Sequence, residues 1–103
     1  MRYLTFLLLK FLLLSNFVMA ETIPTKAKIL KEASYCIKDS QAQVCKELIS
    51  EIEKLQLFAF DQNRFKCQSS LLGLQTEIIK AYFFNNFSNE GISLMIPHVI
   101  KNC

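Results

Sequence analysis

Histidine, glycine and proline are scarce in this chain of 103 residues, which holds one histidine, two glycines and two prolines. Zinc sites and metalloprotease motifs need several histidines, or cysteines spaced two to four residues apart, and neither pattern occurs. Phosphate-binding loops and the Gly-x-Ser-x-Gly motif of hydrolases are also missing. We therefore expect no metal, no cofactor and no enzymatic activity.

The remaining candidates for chemistry are His98 and the acidic residues Glu47, Glu51 and Glu53. A general base needs a nucleophile or a carboxylate within reach, but the immediate neighbours of His98 are apolar. The three glutamates fall on the polar side of a predicted helix, away from any predicted cleft. We interpret His98 as a surface or helix-end residue, and the glutamates as a solvated helix face.

The longest apolar stretch lies at the N-terminus, where Arg2 precedes it and Val18-Met19-Ala20 ends it. A positive start, about ten apolar residues and small residues at the cleavage site are typical of a secretory signal peptide. We expect removal of residues 1–20, a single domain over residues 21–103, and a secreted or periplasmic protein. The alternative is an uncleaved membrane anchor, since the run approaches the roughly 20 residues of a membrane span.

Charge is nearly balanced once this segment is removed. Cleavage would take away Arg2 and Lys10, which leaves ten basic residues against nine acidic ones. Nucleic-acid-binding proteins usually carry a clear basic stripe, whereas basic and acidic residues are mixed between Lys46 and Lys54. We therefore expect no nucleic-acid partner, and a membrane partner only if the apolar segment is retained.

Four cysteines, Cys36, Cys45, Cys67 and Cys103, all follow the predicted cleavage site. An even number of cysteines in a small exported chain favours disulfides, and a domain of this size has a small core that such bonds commonly reinforce. No Cys-x-x-Cys redox motif occurs. The sequence therefore predicts two structural disulfides.

Apolar residues recur with helical spacing in four segments, and strand-like alternation is not sustained anywhere. The predicted inner faces are Ile29, Leu30, Ala33, Cys36 and Ile37; Val44, Cys45, Leu48, Ile52, Leu55 and Ala59; Cys67, Leu71, Leu74, Ile78 and Tyr82; and Ile92, Met95, Ile96, Val99 and Cys103. Leu72, Ile79 and Phe83 are expected to widen the third face. Ser40 with Gln43 predicts a capping box for the second helix, and Ser88 or Asn89 a cap for the fourth.

Short breaks between successive helices favour antiparallel neighbours and predict a small all-α up-down bundle of about four helices. In that arrangement Cys36 and Cys45 meet at one end, whereas Cys67 and Cys103 meet at the other. The crossed pairings would span much of the second helix, on the order of 20 Å, whereas bridged Cα atoms lie within about 7 Å. We predict Cys36 paired with Cys45 and Cys67 paired with Cys103.

Aromatic residues cluster at the ends of the second and third helices, with Leu57, Phe58 and Phe60 in the first group. The second group contains Tyr82 followed by Phe83, Phe84 and Phe87. Consecutive helical residues are about 100° apart, so at least one of these rings should point outward. An exposed aromatic group on a small exported domain can mark a binding surface.

The predicted function is a small non-enzymatic interaction module that contacts an unknown protein partner through Phe83, Phe84 and Phe87. The alternative is a carrier of a lipid or another apolar small ligand, which would occupy a cavity lined by the third and fourth helices. If the N-terminal segment is retained, the same domain would be anchored to a membrane.

Overall fold

The computed structural model describes residues 22–84 and 89–103, and in these residues the chain forms four α-helices and no strand. The helices are α1 (Lys26–Lys38), α2 (Gln43–Asp61), α3 (Phe65–Phe83) and α4 (Glu90–Asn102). The predicted all-α class is therefore confirmed. The predicted signal peptide, residues 1–20, lies outside the described residues, and so does Phe87.

The four helices form a closed ring in which each helix packs against two neighbours. Successive helices pack on each other, and α1 also packs against α4. Short connections force successive helices to run antiparallel, because the chain has too little length to return to the starting end. The structure thus confirms the predicted up-down bundle.

A disulfide closes each end of this bundle. Cys36 near the end of α1 is bonded to Cys45 near the start of α2, with their Cα atoms 5.4 Å apart. Cys67 near the start of α3 is bonded to Cys103 just after α4, with their Cα atoms 4.8 Å apart. Both predicted pairings are confirmed. Disulfides of this kind are typical of an oxidising compartment rather than of the reducing cytoplasm.

The core runs along the bundle axis and consists mainly of branched aliphatic side chains. Its fully buried large members are Ile29, Leu48, Ile52, Leu71, Leu74, Ile78, Ile92 and Val99. All eight belong to the inner faces predicted from helical spacing. Each such side chain contributes about 1.5–3 kcal/mol when it is fully removed from water, so the four faces explain why the helices assemble.

Helix α1 begins and ends with side-chain hydrogen bonds. The Thr25 hydroxyl accepts a hydrogen bond from the Lys28 amide at 3.2 Å, which satisfies one of the free amides of the first turn. At the other end the Asn89 side-chain amide donates to the Ile37 carbonyl at 2.9 Å. Asn89 is the residue before α4, but its side chain makes no capping bond to its own helix. It ties the start of α4 to the end of α1 instead.

The predicted capping box at Ser40 is wrong. Helix α2 begins at Gln43, and the preceding Ala42 makes no side-chain capping bond. The Asp39 carboxylate instead accepts a hydrogen bond from the Gln41 amide at 3.1 Å. Aspartate commonly forms a turn by bonding the backbone two residues ahead, and this turn delays the start of the helix.

The expected widening of the apolar face of α3 is only partly correct. Ile79 is half-buried, but Leu72 is 49% exposed and Phe83 is 61% exposed. At about 100° per residue, both lie well over a quarter-turn around the helix from the line through Leu71, Leu74 and Ile78. No other described helix covers that side of α3 at these two positions. The buried face of α3 is therefore narrower than the apolar face predicted from the sequence.

Candidate functional site

Two neighbouring aromatic side chains are exposed at the C-terminal end of α3, and we call Phe83 and Phe84 the aromatic patch. They are 61% and 56% exposed. Tyr82 is half-buried against the core, and its ring meets the Phe83 ring edge-on at a centroid distance of 4.9 Å. Helical spacing therefore turns Tyr82 toward the core and Phe83 outward, and Phe84, the first residue after the helix, is exposed as well. Phe87, the third predicted contact residue, is not among the described residues.

The backbone beneath the aromatic patch is held by the turn between α1 and α2. The Gln41 side-chain amide donates to the Tyr82 carbonyl at 3.0 Å and lies 3.4 Å from the Ala81 carbonyl. The Phe84 amide donates to the Lys80 carbonyl at 2.9 Å and so closes the last turn of α3. A surface whose backbone is already ordered loses less conformational entropy when it binds. The patch is thus well suited to act as a preformed contact.

Charges around this end of the bundle are mixed in sign. Lys38 and Asp39 lie at the end of α1, Lys80 in the last turn of α3 and Glu90 at the start of α4. Lys80 forms an ion pair with Glu77, with the nitrogen and oxygen atoms 3.4 Å apart. Because basic and acidic side chains are nearly balanced here, apolar contact is the main interaction that the aromatic patch offers.

The residues considered for chemistry do not converge on a cleft in the described part of the chain. His98 is exposed on α4, and Glu47 and Glu53 are exposed on α2. Glu51 lies between two lysines, with oxygen atoms 3.8 Å from the Lys28 nitrogen and 3.5 Å from the Lys54 nitrogen. Among the described residues, no group of three or more His, Cys, Asp or Glu side chains is placed to hold a metal ion.

The interface of α3 with α4, where the carrier hypothesis places its cavity, contains two close helix contacts. A Cβ atom at Gly73 would overlap the side chain of Met95, and one at Gly91 would overlap the side chain of Glu77. A groove of about 450 Å³ lies elsewhere, on the outside of the bundle between residues 22–25 and α2. Its wall includes the charged side chains of Lys28, Glu51 and Lys54, an unfavourable lining for an apolar ligand.

A second exposed apolar group surrounds the turn between α2 and α3. The sequence predicts Leu57, Phe58 and Phe60 in this group but not Phe65, whose ring lies edge-on to that of Phe60 with centroids 6.0 Å apart. The signal for it was the position of Phe65 two residues after the polar break at residues 61–63. Aromatic residues on both sides of a tight helical turn are brought together when the two helices run antiparallel.

No protein family, curated protein or solved structure matches this chain. The fold and its surfaces therefore carry the functional argument alone. None of the four described helices has both the length and the apolar character needed to cross a bilayer.

Proposed function

We propose that this protein is a small exported, non-enzymatic interaction module that binds a protein partner through the aromatic patch. The observation that carries the proposal is the exposure of more than half of both Phe83 and Phe84 at one fixed helix end. Aromatic side chains bury large areas on association, and a few such residues usually provide most of the binding energy of an interface. An apolar pocket on the partner is the complementary surface.

In this proposal the aromatic patch lies outside the hydrophobic core and contributes little to the stability of the fold. Removing an exposed ring should leave the melting temperature nearly unchanged, because the buried side chains of α3 all lie on its other face. The Phe84→Ser variant is expected to unfold within a few degrees of the parent protein and to bind its partner more weakly.

Site-specific crosslinking in the source cell tests the patch even when the partner is unidentified. A photoreactive phenylalanine analogue at position 84 should form a crosslink to one defined protein. The same analogue at position 72 is the matched control, because Leu72 is similarly exposed but lies more than three turns before the patch on α3. No crosslink at position 84, or the same products at both positions, would show that the patch is not a specific interface.

Export is the second part of the proposal. The two disulfides support an oxidising compartment, and the apolar segment before residue 21 supports transport across a membrane. We expect the mature protein to begin at Glu21 and to be found in the periplasm or the medium. N-terminal sequencing of the isolated protein measures this directly, and an intact Met1 on a membrane-bound protein would instead indicate an anchor.

A further inference from the structure

The end of the bundle opposite the aromatic patch carries its own apolar surface. Leu57, Phe58, Phe60 and Phe65 are all exposed around the turn between α2 and α3, and we call them the tip cluster. The turn is tight and well formed, because Asn63 adopts a left-handed conformation with φ of 59°. The Arg64 amide donates to the Ala59 carbonyl at 2.8 Å across it. The tip cluster thus projects from a rigid corner.

The start of α1 and the end of α4 lie at the same end of the bundle. The disulfide between Cys67 and Cys103 holds the end of α4 beside the start of α3. The Arg64 guanidinium donates to the Cys103 carbonyl at 2.8 Å, and the Lys26 ammonium group lies 3.4 Å from the Ile100 carbonyl. Residues 22–28, 51–66 and 98–103 therefore lie toward one end of the bundle, which we call the basic end.

Side-chain charge is distributed unequally between the basic end and the rest of the described residues. The basic end carries six basic and three acidic side chains, which leaves three positive charges. They are Lys26, Lys28, Lys54, Arg64, Lys66 and Lys101 against Glu51, Glu53 and Asp61. The remaining described residues carry four basic and five acidic side chains, which leaves one negative charge. The excess positive charge therefore lies at the same end of the bundle as the tip cluster.

We propose that the basic end docks on the surface of an anionic phospholipid bilayer. Aromatic and leucine side chains favour the boundary between headgroups and acyl chains, and lysines and arginines favour the negative surface above it. Both kinds of residue lie together at the basic end. The proposal is independent of the protein-binding role of the aromatic patch, which faces away from the bilayer in this orientation.

The position at which the N-terminal segment joins the bundle also favours contact with a bilayer. The apolar N-terminal segment, whether a signal peptide or an anchor, joins the described residues at Thr22, next to α1 in the basic end. Membrane contact by that segment therefore brings the basic end close to the same bilayer. The contact proposed here needs only the folded bundle, so it persists after cleavage of residues 1–20. It thus departs from the sequence-based expectation of a membrane partner only when that segment is retained.

Vesicle co-sedimentation tests the proposal with the chain from Glu21 onward, which carries all four helices and both disulfides. We expect binding to vesicles of phosphatidylglycerol mixed with phosphatidylcholine, and at least tenfold weaker binding to phosphatidylcholine alone or at high salt. Each basic residue near an anionic surface changes partitioning by about fivefold. Lys66→Glu with Lys101→Glu should therefore weaken binding at least tenfold, because both residues are exposed and lie in the basic end.

Matched variants separate this surface from general charge attraction. Lys38→Glu with Lys46→Glu makes the same change in net charge at the opposite end and should weaken binding much less. Phe60→Ser with Phe65→Ser should weaken binding at least tenfold, whereas Leu94→Ser should have little effect. Circular dichroism of each variant first establishes that it is folded.

Three results would overturn the proposal. One is the absence of binding to anionic vesicles, and another is an equal loss of binding for the two lysine pairs. The third is concentration-dependent self-association that Phe60→Ser with Phe65→Ser abolishes, without any binding to vesicles. That result would assign the tip cluster to contact with a second copy of the chain.

Discussion

The disulfide between Cys67 and Cys103 should stabilise the bundle more than the disulfide between Cys36 and Cys45. The first bond joins positions 36 apart in sequence, and the second joins positions nine apart. A crosslink removes more freedom from the unfolded chain when it closes a longer loop. The loop-entropy relation gives about 3.8 kcal/mol for the longer loop and about 2.6 kcal/mol for the shorter one at about 25 °C. The expected difference is about 1.2 kcal/mol in the free energy of unfolding.

Two variants that each retain one disulfide measure these contributions separately. Cys36→Ala with Cys45→Ala keeps the longer loop, and Cys67→Ala with Cys103→Ala keeps the shorter one. Urea unfolding of each variant with and without a reducing agent gives the contribution of the remaining bond. Both sulfur atoms of that bond stay in place as thiols, so the comparison creates no cavity.

The bonds themselves are checked first by a tryptic digest without reduction. Residues 32–38 should remain joined to residues 39–46, and residues 67–80 to residues 102–103. Reduction should destabilise the variant that retains Cys67–Cys103 more than the variant that retains Cys36–Cys45. If the second variant loses as much stability as the first, or more, loop entropy is not the main source of the stabilisation. Native-state packing around the buried Cys36 and Cys45 would have to provide it instead.

Burial and turn geometry give two further predictions. Leu74 is fully buried and Leu72 is exposed. Leu74→Ala should lower the free energy of unfolding by about 2–5 kcal/mol, whereas Leu72→Ala should change it by less than about 1 kcal/mol. Equal losses in urea unfolding would contradict the orientation of α3. Because Asn63 has a left-handed backbone conformation, Asn63→Gly should be neutral or slightly stabilising, whereas Asn63→Val should be destabilising by about 1–2 kcal/mol. A valine variant as stable as the parent would contradict the left-handed turn.

Most of the fold was predictable because burial imposes a regular pattern on the sequence. Leu71, Leu74 and Ile78 recur at the helical period, and this spacing can be recognised from the sequence alone. The disulfide pairing followed from the positions of Cys36 and Cys45 on either side of one short break. Both predictions depend only on the number of residues between two positions, which the sequence gives directly.

The parts that could not be predicted depend on how separate segments lie in space. Asp39 and Ser40 are both turn formers, and only the hydrogen bond that the Asp39 carboxylate accepts shows that Asp39 sets the start of α2. The spacing alone did not show whether Leu72 is covered, because that depends on where the neighbouring helices lie. The basic end could not be predicted either, because its charged residues come from three segments that are distant in sequence.

The positions of the two disulfides also divide the molecule into two covalently closed halves. One bond joins α1 to α2 and the other joins α3 to α4, and neither joins one half to the other. The turn at residues 62–64 is the only covalent link between the halves among the described residues. A single backbone cut after Arg64 would turn the domain into a heterodimer of two helical hairpins. These hairpins would be held together by side-chain packing and hydrogen bonds, such as that from Asn89 to Ile37.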